Sequence, residues 1–201
     1  MFLEKGENMG VLTARYDLIE LVEMIDEPNR SRCRKLLLDN RKLFRSAYGS
    51  THNHQNWSGG YWDHISEVMN IAAAMYRGLN SYRPLSFSLS DSVLILFLHD
   101  IEKPWKYEFG PDGRLRTKEE FNTEKKSHAF RDAKLQEYGI VLTPEQQNAM
   151  KYVHGEGKDY SSKRRVMNPL AAFCHMADTW SARGWFNHPG DPWPGAKRVR
   201  S

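Results

Sequence analysis

Apolar residues recur at helical spacing along most of the chain. "LTARYDLIELVEMI", from Leu12 to Ile25, predicts an amphipathic helix. Pro28 in "EPN" interrupts it, because its ring cannot continue a helix. "RSRCRKLLLDNRKLFRSAYG" predicts a basic helix closed by Gly49. The polar, glycine-rich "STHNHQNWSGG" predicts a loop, and the helical pattern resumes from Tyr61 to Leu79. "LSDSVLILFLHDIEK" predicts a short buried helix with Ser90 as its N-cap. "PWKYEFGPDGRLRT" predicts a turn or short hairpin around Pro111-Asp112-Gly113. Helices are then expected from Lys118 to Tyr138, from Pro144 to His154 with Thr143 as cap, and from Pro169 to Arg183. No segment sustains the alternation of a half-buried strand. The expected class is therefore all-α: N-terminal helices over residues 1–50 packing on a core at 51–184, then an irregular basic tail at 185–201.

Composition narrows this only a little. The chain has 201 residues and a net charge of +4, enough for one domain with a true core. The mild basic excess fits an anionic ligand without demanding one. Cys33 and Cys174 form no CxxC, which suits a reduced, cytoplasmic protein. The longest apolar run, Val93 to Leu98, is too short to span a bilayer, and no signal peptide is read, so no membrane partner is expected.

The chemistry lies in the histidines. His64, His99-Asp100, His128, His154 and Asp178 follow one another, each on or at the end of an expected helix. A lone helical histidine is usually a structural or surface group. Six such groups in series, one pair ending an apolar run, are a different signal. Imidazole and carboxylate suit Mn, Fe, Co, Ni or Zn and mixed sites with Mg, and helices carrying a ligand each can converge on a buried centre. Asp100 is placed to bridge two ions.

The order H…HD…H…H…D resembles that of the HD-domain metal-dependent phosphohydrolase superfamily. "GGYWDHISEVMNIA" resembles the helix that carries the family's first ligand, "LILFLHDIEKPWKY" its HD segment, "YVHGEGKDY" its "HHGE" helix end, and "PLAAFCHMADTWSAR" its last-ligand helix. "STHNHQNWSGG" resembles a loop of the HD domain of 3′-to-5′ exoribonucleases, the nearest likeness within the superfamily. The likeness runs from Thr51 to Arg183. It implies a helical bundle around one or two divalent ions. His64, His99, Asp100 and Asp178 would hold the first, and Asp100, His128 and His154 the second. Asp100 and Lys103 would act in catalysis, Lys103 on the phosphate. The implied substrates are nucleotides or short oligonucleotides, cleaved as by a phosphodiesterase or 3′-to-5′ exonuclease. A nucleotidase or dNTP phosphohydrolase is the first alternative. A di-iron oxygenase of the same fold is the second. A homodimer is left open.

On the substrate side, His54 is a candidate through the loop likeness, and Arg183 through the family's arginine after the last aspartate. Lys158, Arg164 and Arg165 belong to the basic loop "KDYSSKRR" after His154, where they could hold phosphates. His175 is a candidate for orienting a ligand. Trp57, Tyr61, Trp62, Trp105 and Tyr107 flank the motifs, and one or two of them are expected to face substrate. Three departures stand out. Glu102 replaces the family's glycine after HD-Ile, and Val153 replaces the family's second histidine in "HH". The oligonucleotide/oligosaccharide-binding domain that precedes the exoribonuclease core is replaced by the helical residues 1–50.

Overall fold

The computed structural model describes residues 15–52 and 54–184. Among these the chain is mostly helical: α1 (Leu18–Val22), α2 (Asn29–Asp39), α3 (Arg41–Ser46), α4 (Gly60–Tyr82), α5 (Leu89–Leu98), α6 (Lys103–Lys106), α7 (Glu124–Glu137), α8 (Pro144–Tyr152) and α9 (Pro169–Arg183). Strands β1 (Tyr107–Phe109) and β2 (Leu115–Thr117) form an antiparallel hairpin, with Tyr107 opposite Thr117 and Phe109 opposite Leu115. The expected tail at 185–201 and the start of the first helix at Leu12 lie outside the described residues.

At the centre α4 packs on α5 and on α9, and α9 packs on α8. Every residue of α5 from Ser92 to Leu98 is buried, which explains why its sequence is apolar on all sides. Each such Leu, Ile, Val or Phe contributes about 1.5–3 kcal/mol of transfer free energy, so this helix is a fixed post. The N-terminal helices share the core: Leu18, Leu21, Val22, Cys33, Leu36 and Phe44 are buried with α4 and α5. Cys33 and Cys174 are both buried free thiols. Among the described residues, no helix is long and apolar enough to cross a membrane.

Several ends differ from expectation, each for a local reason. Ser88, not Ser90, caps α5. Its Oγ accepts from the Asp91 backbone N–H at 3.0 Å, and the Asp91 carboxylate accepts from the Ser88 N–H at 2.9 Å. Ser90 has no acid three residues on to reciprocate; its Oγ accepts from the Asp26 N–H instead. The basic helix breaks at Asn40, whose side chain donates to the Leu36 carbonyl and to the Tyr138 hydroxyl. The helix expected from Lys118 starts at Glu124. The Lys118 N–H still bonds the Lys106 carbonyl beside the hairpin, and Thr123 supplies the cap. Gly49 closes no helix; α3 ends at Ser46.

The loop before α4 is held by two close approaches. Gln55 has a φ of 48°, and its carbonyl accepts from the N–H groups of Gly49 and Trp57, each at 3.0 Å. A Cβ on Gly60 would lie 1.9 Å from that carbonyl oxygen. Only glycine fits there, and this contact sets the loop against the first turn of α4.

Candidate metal centre

Four donor atoms converge in the core from three places in the fold. His64 comes from the second turn of α4. His99 and Asp100 come from the tight turn between α5 and α6, and Asp178 from α9. Adjacent residues within a helix diverge. Past the last turn of α5 the two side chains converge instead, with His99 Nε2 3.2 Å from Asp100 Oδ2. His64 Nε2 lies 3.3 Å from His99 Nε2, 3.4 Å from Asp100 Oδ2 and 3.3 Å from Asp178 Oδ1. His99 Nε2 lies 3.5 Å from Asp178 Oδ1.

These separations test whether an ion fits. With metal–ligand bonds of about 2.0–2.1 Å, the edges of a tetrahedron of donors are about 3.3–3.4 Å. The separations among His64, His99 and Asp178, 3.3–3.5 Å, match one face of it, and these three form a group of donor atoms close enough to share an ion. His64 and His99 are fully buried and Asp100 nearly so. Lone pairs crowded this way away from water need positive charge among them, from protons or from a cation. The donor set of two imidazoles and two carboxylates suits a divalent transition ion.

The two imidazoles are aimed from behind. His99 Nδ1 donates to the Leu96 carbonyl at 2.7 Å, which turns Nε2 toward the centre. The Ser181 hydroxyl donates to Glu67 Oε2 at 3.0 Å, so its oxygen is left to accept from His64 Nδ1 at 3.3 Å. Gln55 Nε2 donates to the same Glu67 oxygen at 2.8 Å. Burial raises the Glu67 carboxyl above its ordinary range, and the Ser181 hydrogen bond opposes it. Gln55, Glu67 and Ser181 were not foreseen. The signal was present: Glu67 stands three residues after His64, and Ser181 three after Asp178, each on its ligand's face.

Electrostatics follow from the burial of two acids. Burial works against the Asp100 carboxylate, but Lys103 and His99 hold it well below the usual range. Asp178 is likewise held low against burial, by His64 and His99. Burial pulls His99 down, yet Asp100 and Asp178 outweigh it and push it up to about 10. The Lys103 ammonium sits 2.5 Å from Asp100 Oδ2; burial disfavours its charge, but Asp100 keeps it above its ordinary value. His54 packs its ring 5.1 Å from that of His64, and burial with the neighbouring His64 lowers it to about 4.

His154 stands just past α8, half exposed, with Nε2 3.5 Å from Asp100 Oδ1 and 4.0 Å from Asp178 Oδ2. His99, Asp100 and His154 form a second group of donor atoms close enough to share an ion. His175 Nδ1 donates to the Val153 carbonyl at 2.8 Å and so anchors the turn that carries His154.

The structure does not bring His128 into either group. Its Nε2 is 3.7 Å from Glu124 on its own helix α7. It faces the ligands across a cavity of about 640 Å³, whose wall includes His99, Asp100, Glu102, Lys103, Phe121, His128 and His154. Of the expected substrate residues, Lys103 is on this wall. Lys158, Arg164 and Arg165 are not; they are exposed. The chain turns away at Gly155, and Asp159 is pinned against α8 by the Tyr152 hydroxyl at 2.9 Å and Lys151 at 2.6 Å. Arg183 is exposed in the last turn of α9, where a cation complements the helix dipole.

Four of the five flanking aromatics pack within the scaffold. Tyr61 is fully buried against Phe44, Trp57 Nε1 donates to Asp63 at 2.9 Å, and Arg45 stacks on Trp62. Trp105 packs on Phe44 and Phe130, while Tyr107, paired through its backbone in the hairpin, has a side chain that interacts with the charges of Lys103 and Asp100. The aromatic on the cavity wall is Phe121. Glu102 is buried there, 3.9 Å from Lys106. No protein-family model matches the chain, and neither a curated protein nor a solved structure matches it.

Proposed function

We propose that this chain is a metal-dependent phosphohydrolase of the HD-domain type, acting in the cytoplasm on phosphoester bonds of nucleotides or short oligonucleotides. One observation carries the reading: His64 and His99, from separate places in the fold, bring their Nε2 atoms 3.3 Å apart and each 3.2–3.5 Å from a carboxylate oxygen of Asp100 and of Asp178. A divalent ion held there would supply Lewis-acid charge for phosphoryl oxygens and an acidified water as nucleophile.

The remaining roles belong to the chain. Leu96 and Ser181 keep the two imidazoles aimed inward. Asp100 turns Oδ2 to the buried donors and Oδ1 to His154, the arrangement a bridging carboxylate needs. Lys103 keeps a permanent positive charge beside Asp100 on the cavity wall, where it can attract and orient a phosphate. The cavity has the volume of a nucleotide-sized site.

The test is to load purified protein separately with Mn, Fe, Co, Ni, Zn and Mg, and to measure bound metal by mass spectrometry. Hydrolysis is then followed on nucleoside mono-, di- and triphosphates and on 5′-labelled RNA and DNA oligomers. Phosphate or mononucleotide should be released, and Asp100→Asn should lose metal and hydrolysis together. Metal-loaded protein inert across the panel would sink the reading.

A further inference from the structure

We propose that the α7 wall of the cavity is an oxyanion subsite, in which Arg131 and Ser127 take a second phosphate of the substrate. The inference rests on the phosphohydrolase reading, which puts the first phosphate at the metal centre.

Ser127 and Arg131 are four residues apart and share one face of α7. Both line the cavity that His99, Asp100, Lys103 and His154 line from the other side. Both are more than nine-tenths buried, with exposures of 4% and 7%. Ser127 Oγ and Arg131 Nε have no hydrogen-bond partner among the described residues. Buried donors are normally satisfied, so two open ones on one helix face at a cavity wall call for an acceptor from outside.

The charges around them point the same way. Lys103 is taken by Asp100 at 2.5 Å, and Lys106 faces Glu102 at 3.9 Å. Glu124, the other acid on the wall, faces His128 at 3.7 Å. Among the described residues the one acid within ion-pair distance of Arg131 is Asp132, 3.7 Å away and largely exposed, where screening leaves little attraction. Arg131 is therefore the cavity cation with the least committed charge. A guanidinium with a hydroxyl beside it matches the several oxygens of a phosphate. A substrate with one phosphate would leave this wall idle. The matching class carries two: a nucleoside diphosphate, or a nucleoside with phosphates on its 3′ and 5′ hydroxyls.

Titration calorimetry on the full chain loaded with Ca²⁺, to hold the first phosphate while slowing turnover, compares AMP, ADP and adenosine 3′,5′-bisphosphate. Wild type should bind ADP or the bisphosphate at least tenfold more tightly than AMP, and the preferred one reports the spacing. Arg131→Met keeps the apolar stem, and should bring that ratio below threefold. Ser127→Ala should lower it at least threefold, and decides the matter if circular dichroism shows that Arg131→Met is unfolded. A wild type that binds neither probe better than AMP overturns the proposal, as does a preference that survives in folded variants. Hydrolysis is scored separately: a preference retained in an inactive protein supports the subsite and removes only the phosphohydrolase reading.

Discussion

His64 and Ser181 are 117 residues apart in the chain, yet Nδ1 of one meets Oγ of the other at 3.3 Å inside the core. The hydroxyl is already committed as a donor to Glu67, so it can only accept from the imidazole. Ser181→Ala removes that acceptor and leaves His64 free to turn or to place its proton on Nε2. Loss of such a supporting contact typically costs about 10- to 100-fold in metal affinity. Equilibrium metal titration should show this weakening with the far-UV spectrum unchanged. An affinity within twofold of wild type would remove Ser181 from the site.

His128 should behave unlike the other histidines. It is on the cavity wall but not among the converging donors. His64→Ala and His99→Ala are expected to abolish tight metal binding. His128→Ala is expected to leave stoichiometry unchanged and affinity within about threefold, since a group that is no ligand contributes little to binding. A lost equivalent of metal in His128→Ala would show that α7 moves inward to complete a second position.

Protons and metal should compete at His99. Without an ion, Asp100 and Asp178 overcome burial and push this imidazole up to about 10, above its ordinary 6.5. A raised folded pKa stabilises the fold fully below the unfolded value and loses that contribution as pH rises through the folded value. Ion-free protein should therefore lose stability between about pH 6.5 and 10. Metal loading requires the neutral imidazole and should flatten that slope while releasing a proton at neutral pH. Chemical denaturation across pH, with and without metal, checks the slope. Calorimetry in buffers of different ionisation enthalpy counts the proton. Parallel slopes in the two forms would contradict this account.

Gly60→Ala should damage the protein far beyond the cost of one methyl group. The new Cβ would sit 1.9 Å from the Gln55 carbonyl oxygen, so the loop must move. Overpacking of this kind costs about 1–3 kcal/mol, and here the displaced residue also donates to Glu67. Thermal unfolding should shift down and metal affinity should fall with it. Gly78→Ala, where a Cβ meets nothing within 4 Å, is the control and should be neutral or stabilising.

These contacts also mark how far the sequence could be read. His99 and Asp100 were legible because an apolar run ends in an ionisable pair, and the helices of His64 and Asp178 because their periodicity is strong. The backing of Gln55, Glu67 and Ser181 was not. A glutamate in the middle of an amphipathic helix looks solvated, and the packing of α4 on α9 that buries it is a tertiary fact. Lys158, Arg164 and Arg165 misled for the converse reason. A run of charge reads alike whether it lines a cavity or faces water, and the turn at Gly155 sends this one to water. One basic residue in a polar helix, such as Arg131, carries no pattern until the cavity beside it is seen.

The placement of the four donors sets how the protein can be divided. His64, the His99-Asp100 pair and Asp178 are contributed by α4, the α5–α6 turn and α9, and the backing of His64 joins α4 to α9 again. A chain cut anywhere between Ile65 and Ala177 separates His64 from Asp178. Recombining two such pieces and asking whether they regain one equivalent of metal would therefore report correct reassembly of the core, with no substrate needed. The ion would serve as a gauge of whether the whole bundle has closed.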